Sequence, residues 1–294
     1  MRFCRFNDNR LGVVRGTQVH DVTAALESLP ALRWPAPQGD HFFNHFEVLR
    51  PRMQALADTV PGQPVASVTL LSPVGNPGKI VAAPVNYQLH LDESRADKAI
   101  NFGTQVKTIA DYGVFLKASS SMIGAGQAVV ADWAERRIDH EIELALVIGK
   151  QGFRITEDQA LSHVAGYMIG LDMTIRGTED RSFRKSLDTF TVFGPHVVTA
   201  DEISDPGRLD FELKVNQETR QKANTAQLIW NVQKLISYAS QAYTLYPGDI
   251  VMTGTPEGVA PVLPGDTMHA WIEGIGEMSV AVKGSPDGAW PAVK

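Results

Sequence analysis

Cysteine is almost absent from this chain of 294 residues, with Cys4 as its single example. No disulfide can form within the chain, and we expect a reducing compartment, the cytoplasm. The first ten residues have no apolar core of signal-peptide length, and no stretch approaches the roughly 18 apolar residues of a membrane-spanning helix. We therefore expect neither export nor a membrane as partner.

Excess positive charge is also lacking. Lys and Arg number 27 against 33 Asp and Glu, which gives a formal net charge of −6. This balance provides no basic surface for nucleic acid, so none is expected as a partner. The sequence contains no glycine-rich phosphate loop, Cys/His zinc cluster or Gly-x-Ser-x-Gly segment, which argues against nucleotide, zinc and serine-hydrolase chemistry.

The length of the chain exceeds what one hydrophobic core usually fills, so a large and a small domain are expected. Residues 70–79 (LLSPVGNPGK) are rich in Pro, Gly and Asn. We predict that they link a small N-terminal α/β domain, residues 1–72, to a main domain, residues 78–294.

The main domain is rich in predicted strands, among them residues 142–149 (IELALVIG) and 164–175 (VAGYMIGLDMTI). Apolar residues at helical spacing predict one helix over 226–243, with Asn224 and Gln227 as its N-terminal cap. The βαβ rhythm of a parallel sheet is missing. The fold class is therefore predicted to be α+β, mainly β.

Acidic residues alternate along RRIDHEIELALVIGK (136–150), which places Asp139, Glu141 and Glu143 on one face of a strand. Neighbouring carboxylates repel unless a cation lies between them, and oxygen ligands suit Mg, Mn or Ca rather than Zn. A half-exposed strand with a charged outer face has the same pattern. The apolar run that follows favours burial, and buried carboxylates are usually paired or metal-bound.

A third carboxylate, Asp172, lies in the apolar segment GYMIGLDMTIRG (166–177), with Thr174 and Arg176 on the same face if the strand continues. A lone Asp can also cap a turn. A site with two glutamates, however, needs a third carboxylate to hold Mg²⁺ with open positions.

In NYQLHLDE (86–93), one helical turn would place His90 beside Glu93. A carboxylate orients an imidazole and raises its basicity, as a general base requires, although a surface pair explains the spacing equally well. The side chains of Lys117, Lys185 and Thr255 are further candidates, each also compatible with a structural role.

Six segments in this order resemble the fumarylacetoacetate hydrolase family over about residues 78–283: NYQLHLDE, VFLKASSSMIGAG, DHEIELALVIGK, VAGYMIGLDMTIRG, RKSLDTF and PGDIVMTGTPEGV. The resemblance implies a mixed β-sandwich roll, usually in homodimers, and the N-terminal part is similar to the small extra domain of longer family members. It implies a divalent metal, commonly Mg²⁺ with Mn²⁺ possible, held by Glu141, Glu143 and Asp172.

By the same resemblance, the segment with His90 and Glu93 forms a lid over the substrate, and Arg176, Lys185 and Thr255 hold its carboxylate and oxo groups, with Lys117 close by. Some family members have another metal-binding Asp upstream of the histidine. Residues 82–84 here are Ala-Ala-Pro, so three protein ligands are expected. Residues 94–112 are longer than in compact members and are expected to enlarge the lid.

The resulting hypothesis is hydrolysis of a C–C bond in a small 2,4-dioxo acid, with His90, Glu93 and Lys185 as catalytic residues. Decarboxylation of a 2-oxo diacid and isomerisation of a 2-hydroxy-dienoate remain alternatives, because both pass through a similar enolate. A non-catalytic binding protein for 2-oxo acids is a third hypothesis, but it would have no use for an adjacent His-Glu pair.

Overall fold

The computed structural model describes residues 1–131 and 136–284. Strands account for most of the regular structure, so the predicted α+β, mainly β class is confirmed. Residues 285–294, which the sequence assigned to the main domain, lie outside the described residues. None of the helices in the described ranges is long and apolar enough to cross a membrane.

The N-terminal part combines short strands with two helices. Two of these strands flank a turn at residues 16–17 and pair antiparallel, with Val14 opposite Val19. The elements are β1 (Arg2–Phe6), β2 (Arg10–Arg15), β3 (Gln18–Asp21), α1 (His41–Asn44), α2 (Phe46–Thr59), β4 (Gly62–Pro64) and β5 (Leu70–Leu71).

The central part of the chain contains the strands and short helices that carry the candidate site residues. They are β6 (Ile80–Ala82), α3 (Gln88–Ala96), α4 (Lys98–Asn101), α5 (Ile109–Tyr112), β7 (Phe115–Lys117), β8 (Met122–Gly124), β9 (Ala128–Val130), β10 (Ile138–Asp139), β11 (Ile142–Ile148), β12 (Val164–Asp172), β13 (Thr174–Ile175), α6 (Arg181–Lys185) and β14 (Thr191–Thr199).

The C-terminal part adds one amphipathic helix and a second sheet. Its elements are β15 (Asp210–Val215), β16 (Glu218–Asn224), α7 (Val232–Ala242), β17 (Ile250–Met252), β18 (Thr267–Ile272) and β19 (Gly276–Lys283). The smaller sheet has the order β16-β15-β18-β19-β9. Its alternating buried and exposed residues show that one face packs against the core.

The predicted helix over residues 226–243 is shorter than expected. The capping box of Asn224 and Gln227 is present, but it caps a single 3-10 turn, and α7 begins only after Asn231. Between them, the backbone amides of Ile229 and Trp230 donate hydrogen bonds to Asn86. These tertiary contacts hold the segment out of helical conformation and override its local propensity.

One large sheet unites the N-terminal strands with those of the main domain. Its order is β4-β3-β2-β1-β14-β12-β11-β17-β6-β7, with β5 beside β1 and β8 beside β14. Residues 70–71 of the predicted linker are strand β5 and pair with β1. The domain boundary at residues 72–78 stays a prediction, but both sides of it share this sheet.

Strand β11 lies in the middle of the sheet and is buried on both faces, as its nearly continuous apolar sequence predicted. Leu144 and Leu146 pack into the larger apolar core. Ala145 and Val147 face the opposite way, into a second cluster that contains residues of α2 such as Leu49 and Met53. Both layers fix β11 firmly, and its N-terminal end carries the acidic residues of the candidate site.

Candidate active site

Three carboxylates meet where β11 begins and β12 ends. Glu141 immediately precedes β11, Glu143 lies within it, and Asp172 is the last residue of β12. The backbone amide of Asp172 donates a 2.8 Å hydrogen bond to the carbonyl of Glu141, which aligns the two strand ends. One carboxylate oxygen from each residue lies within 4.8 Å of the others, and all three side chains are buried.

Asp139, which the sequence predicted on the same strand face as Glu141 and Glu143, lies in β10 and does not join this cluster. Its two oxygens accept hydrogen bonds of 2.7 Å from Arg137 and from Arg176. Arg176 also donates to Glu141 at 3.0 Å. Asp139 is therefore a partner of the arginine that faces the carboxylates, and it orients the guanidinium.

Two lysines contact the carboxylates from within the protein. Lys185 Nζ donates hydrogen bonds to Glu141 at 2.5 Å, to Asp172 at 2.7 Å and to the Thr174 hydroxyl at 2.6 Å. Lys117 Nζ donates to Asp172 and to two backbone carbonyls, and it does not line the cavity. Lys185 thus lines the cavity, whereas Lys117 contacts Asp172 on the side away from the cavity.

The pKa values of the two glutamates move in opposite directions. Burial alone would raise the pKa of Glu141, but the charges of Lys185 and Arg176 lower it to about 2. Burial raises the pKa of Glu143 well above its usual range, and the negative charges of Asp172 and Glu141 add to this effect. Negative charge is thus least compensated at Glu143, where a bound cation would stabilise the carboxylate.

Glu143 accepts a 2.7 Å hydrogen bond from the backbone amide of Gly254, in the loop after β17. Gly254 has a φ of +94°, and a Cβ built on it would lie 2.8 Å from the Cβ of Asn86. Both features require glycine at this position, because larger residues rarely adopt this φ and would collide. The loop TGTPEGV (253–259) is therefore shaped to bring its backbone against the carboxylates.

His90 and Glu93 lie on α3, one helical turn apart as the sequence predicted. His90 Nδ1 and Glu93 Oε2 are 2.9 Å apart, and the His90 side chain is buried. The other oxygen of Glu93 accepts a 3.0 Å hydrogen bond from the backbone amide of Gly258. Glu93 thereby orients the imidazole and also fastens α3 to the loop that carries Thr255.

The segment before α3 is held by a fully bonded amide. Asn86 donates to the carbonyls of Trp230 and Thr253 at 2.8 and 2.9 Å and accepts from the Trp230 amide at 2.8 Å. Val85 beside it has a φ of +39°, a conformation that costs a β-branched residue about 1–3 kcal/mol. The bonds of Asn86 hold this strained turn, which lines the cavity.

One cavity of about 200 Å³ connects these groups. It is lined by His90, Glu141, Glu143, Arg176, Lys185 and Thr255, six of the nine residues proposed from the sequence. Residues 100–106 and Tyr112, from the long segment after α3, close it on another side. Asp97 at the start of α4 pairs with Arg137 at 2.8 Å, which joins this segment to Asp139.

Gln221, on β16, is a site residue that the sequence analysis did not identify. Its side-chain oxygen bonds with His140 Nδ1 at 3.0 Å and accepts from the Ile142 amide at 3.1 Å, while its nitrogen donates to the Thr255 hydroxyl at 2.8 Å. Gln221 therefore connects the carboxylate strand with the Thr255 loop. A single Gln in a polar strand carries no signal for such a role.

Residues 79–283 match the family model described as fumarylacetoacetate (FAA) hydrolase, C-terminal. The chain belongs to this family, and the resemblance seen in the six sequence segments is confirmed. The chain is 53% identical over 285 residues to a maleylpyruvate hydrolase of Aquipseudomonas alcaligenes, covering 96% of this chain and 99% of the relative.

Two further comparisons extend this result. A crystal structure of maleylpyruvate hydrolase from Sphingobium sp. SYK-6, in complex with manganese(II) ion and pyruvate, has a TM-score of 0.82 and 40% identity, covering 97% of this chain and 100% of the other. A human mitochondrial oxaloacetate tautomerase is 36% identical over 236 residues, covering 76% of this chain and 72% of the relative. The predicted family fold is confirmed by the first comparison.

The residues fit a divalent metal ion. Three buried carboxylates converge, and the pKa of Glu143 is raised by burial and by its acidic neighbours. An all-oxygen donor set suits hard cations. Glu141, Glu143 and Asp172 therefore form a divalent metal site, the three-ligand arrangement expected from the sequence.

Proposed function

We propose that this protein is a metal-dependent hydrolase that cleaves a C–C bond in an acylpyruvate, a 2,4-dioxo acid, and that maleylpyruvate is its substrate. The observation that carries the proposal is that His90, which is bonded to Glu93, lines one cavity with Glu141 and Glu143 of the carboxylate cluster. The names of the Aquipseudomonas and Sphingobium relatives support the choice of substrate.

We propose Mg²⁺ as the resident ion, with Mn²⁺ as the alternative, held by Glu141, Glu143 and Asp172. The oxygen ligands are compatible with either cation, and manganese in the Sphingobium structure supports the second. When bound, such an ion supplies Lewis-acid chemistry to the carboxylate and 2-oxo oxygens of a chelating substrate.

His90 is the proposed general base. Glu93 accepts a hydrogen bond from the Nδ1–H group of the imidazole, which leaves the Nε2 lone pair free to take a proton from water. The water oxygen bonds to the C4 carbonyl carbon, and the C3–C4 bond then breaks. Its electron pair remains on C3 as an enolate, which takes a proton to become pyruvate, while the acyl part leaves as a carboxylic acid. One water is consumed.

Lys185, Arg176 and Thr255 are the proposed ligands of the pyruvoyl end. Lys185 Nζ already donates to two of the carboxylates, so it lies where negative charge develops on the enolate and can stabilise it. Arg176 and the Thr255 hydroxyl face the same cavity. We assign Lys117 a supporting role, because its ammonium contacts Asp172 and not the cavity.

Closure of the segment over residues 86–112 is proposed to exclude bulk water during the reaction. Glu93 supports this role, because its bond to Gly258 joins α3 to the Thr255 loop. A homodimer and a cytoplasmic location also remain proposals. Sedimentation of the purified chain would test the first.

A panel of three substrates tests the proposed reaction. Maleylpyruvate, oxaloacetate and a 2-hydroxymuconate-like dienoate are offered to the Mg²⁺- and Mn²⁺-loaded protein, and pyruvate, CO₂ and isomerised product are measured. We expect rapid pyruvate release from maleylpyruvate only. A dominant reaction with oxaloacetate would replace the hydrolase by the decarboxylase or tautomerase alternative, the latter supported by the human relative.

A further inference from the structure

The wall of the cavity carries two arginines that the proposed reaction does not use. Arg181 and Arg184 lie on α6, the short helix that ends with Lys185, and both line the same cavity as His90. None of the ion pairs among the described residues includes either guanidinium. Two half-buried positive charges thus face the substrate space with no carboxylate at ion-pair distance, although Glu141 acts on both of them from further away.

Aromatic rings hold Arg181 in place. Its guanidinium carbon lies 4.4 Å from the ring centroid of Tyr112 and 5.6 Å from that of Phe115. Stacking against ring faces restricts a guanidinium while its in-plane N–H groups stay available for a planar anion. Tyr112 ends α5, so this contact also connects α6 with the segment that covers the cavity.

Arg184 is fixed beside it by a 2.9 Å hydrogen bond from its Nε to the carbonyl of Glu179. Burial lowers the pKa of Arg184, and the positive charges of Arg176 and Arg181 lower it further. The carboxylate of Glu179 already forms two 2.8 Å hydrogen bonds with Arg136. The mutual repulsion of the arginines would be relieved by an anion bound between them.

The cavity wall therefore presents two sets of groups with different chemistry. Carboxylates, Lys185 and His90 would bind and process the pyruvoyl group, whereas Arg181 and Arg184, beside Tyr112, offer guanidinium groups that form no ion pair among the described residues. We propose that Arg181, assisted by Arg184, binds a second carboxylate at the acyl end of the substrate, so that the enzyme selects dianionic 2,4-dioxo acids. This inference rests on the proposed function for the identity of the reacting end.

The test compares two substrates in two variants. Arg181→Met removes the charge and keeps the length of the side chain, and Arg181→Lys keeps the charge without the planar fork. For R181M we expect kcat/KM to fall about 10- to 100-fold with maleylpyruvate, because one charge-assisted contact with the substrate is lost. With acetylpyruvate, whose acyl end is a methyl group, it should stay within about twofold of the parent. R181K should recover part of the maleylpyruvate activity.

Arg208→Met is the matched control, because Arg208 is a highly exposed arginine whose pairing with Asp205 is 3.7 Å long. R208M should leave kcat/KM unchanged for both substrates. If kcat/KM of R181M fell equally for both substrates, or stayed at the parent value with maleylpyruvate, the proposed role of Arg181 would be overturned.

Binding of maleate, measured by calorimetry, separates this inference from the proposed function. If the parent cleaves neither acylpyruvate, the hydrolase proposal fails, but the anion site is still tested. Maleate should bind the parent and R208M equally and should bind R181M at least tenfold more weakly. Equal affinity in R181M, or no binding to the parent, would contradict the anion site.

Discussion

The side-chain nitrogen of Gln221 donates a 2.8 Å hydrogen bond to the hydroxyl of Thr255. The oxygen of the same amide bonds with His140 and with the Ile142 backbone. The position of Thr255 relative to the metal-binding strand thus depends on one buried amide whose bonding capacity is largely used.

Gln221→Leu should therefore weaken substrate binding as well as stability. Loss of the amide leaves the Thr255 hydroxyl, the His140 ring and the Ile142 amide without this partner, which costs about 1–3 kcal/mol of the free energy of unfolding for each unpaired buried group. We expect KM to rise more than kcat falls. Urea unfolding and steady-state kinetics measure both effects, and the exposed Gln241→Leu is the control. Unchanged KM in Q221L would show that the amide does not position Thr255.

Metal binding should stabilise the folded protein. At a free concentration of 100 times the dissociation constant, a single site adds about 2.7 kcal/mol to the free energy of unfolding. We expect Mg²⁺ and Mn²⁺ to raise the Tm of the parent and of Glu218→Gln, which alters an exposed glutamate. Glu143→Gln should abolish the rise, because it removes a carboxylate of the cluster. An equal rise in E143Q would place the ion elsewhere.

Substitution of Gly254, with Gly265 as the matched control, tests whether the loop after β17 must pack closely against the carboxylates. Both have positive φ, at +94° and +102°, but only Gly254 would bring a Cβ against a neighbour, at 2.8 Å from Asn86. Gly265→Ala should cost about 1–2 kcal/mol, the strain of a left-handed conformation. Gly254→Ala should cost clearly more and reduce metal affinity, because its amide bonds with Glu143. Equal effects in both variants would argue against the close packing of this loop.

The titration of His196, which lies away from the active site, should make the free energy of unfolding depend on pH. His196 Nε2 bonds with the Ile275 carbonyl at 2.9 Å. Burial lowers the pKa of His196 from 6.5 to about 4, with Arg2 adding to the decrease and Glu202 opposing it. Below pH 6.5 the unfolded chain therefore binds a proton that the folded protein excludes.

The contribution of His196 to stability is thus complete above pH 6.5 and is lost as the pH falls toward 4. The loss should approach about 3 kcal/mol, from roughly 1.4 kcal/mol per unit of pKa shift. The free energy of unfolding, measured by urea titration at several pH values, should decrease less steeply in His196→Gln than in the parent. Parallel curves would mean that His196 titrates normally in the folded state.

Local patterns in the sequence were sufficient to predict the strand and the helix that carry the site residues. The apolar run of β11 and the helical spacing of His90 and Glu93 were both predicted, because each depends on neighbours within one strand or one turn. The carboxylate cluster was predicted from the same segments together with the family resemblance. Membership of the family is confirmed by the comparisons, and the geometry brings the three carboxylates together as a site that fits a divalent metal.

Long-range contacts account for what the sequence did not reveal. Asp139 was predicted on the same strand face as Glu141 and Glu143, but it lies in β10 and pairs with Arg137 and Arg176, and neither pairing follows from spacing. Gln221 approaches His140 across 81 positions of the chain. The partners of Arg181 are aromatic residues about 70 positions upstream, so its orientation is a product of the tertiary fold.

The direct test of the whole account is pyruvate release from maleylpyruvate by His90→Ala, with Mn²⁺ affinity measured on the same sample. The matched control is Leu89→Ala, a change of an exposed residue on the same helix. We predict that H90A binds Mn²⁺ as tightly as the parent and releases pyruvate at least about 100-fold more slowly, the usual contribution of a general base. Release at the parent rate by metal-loaded H90A would contradict the account.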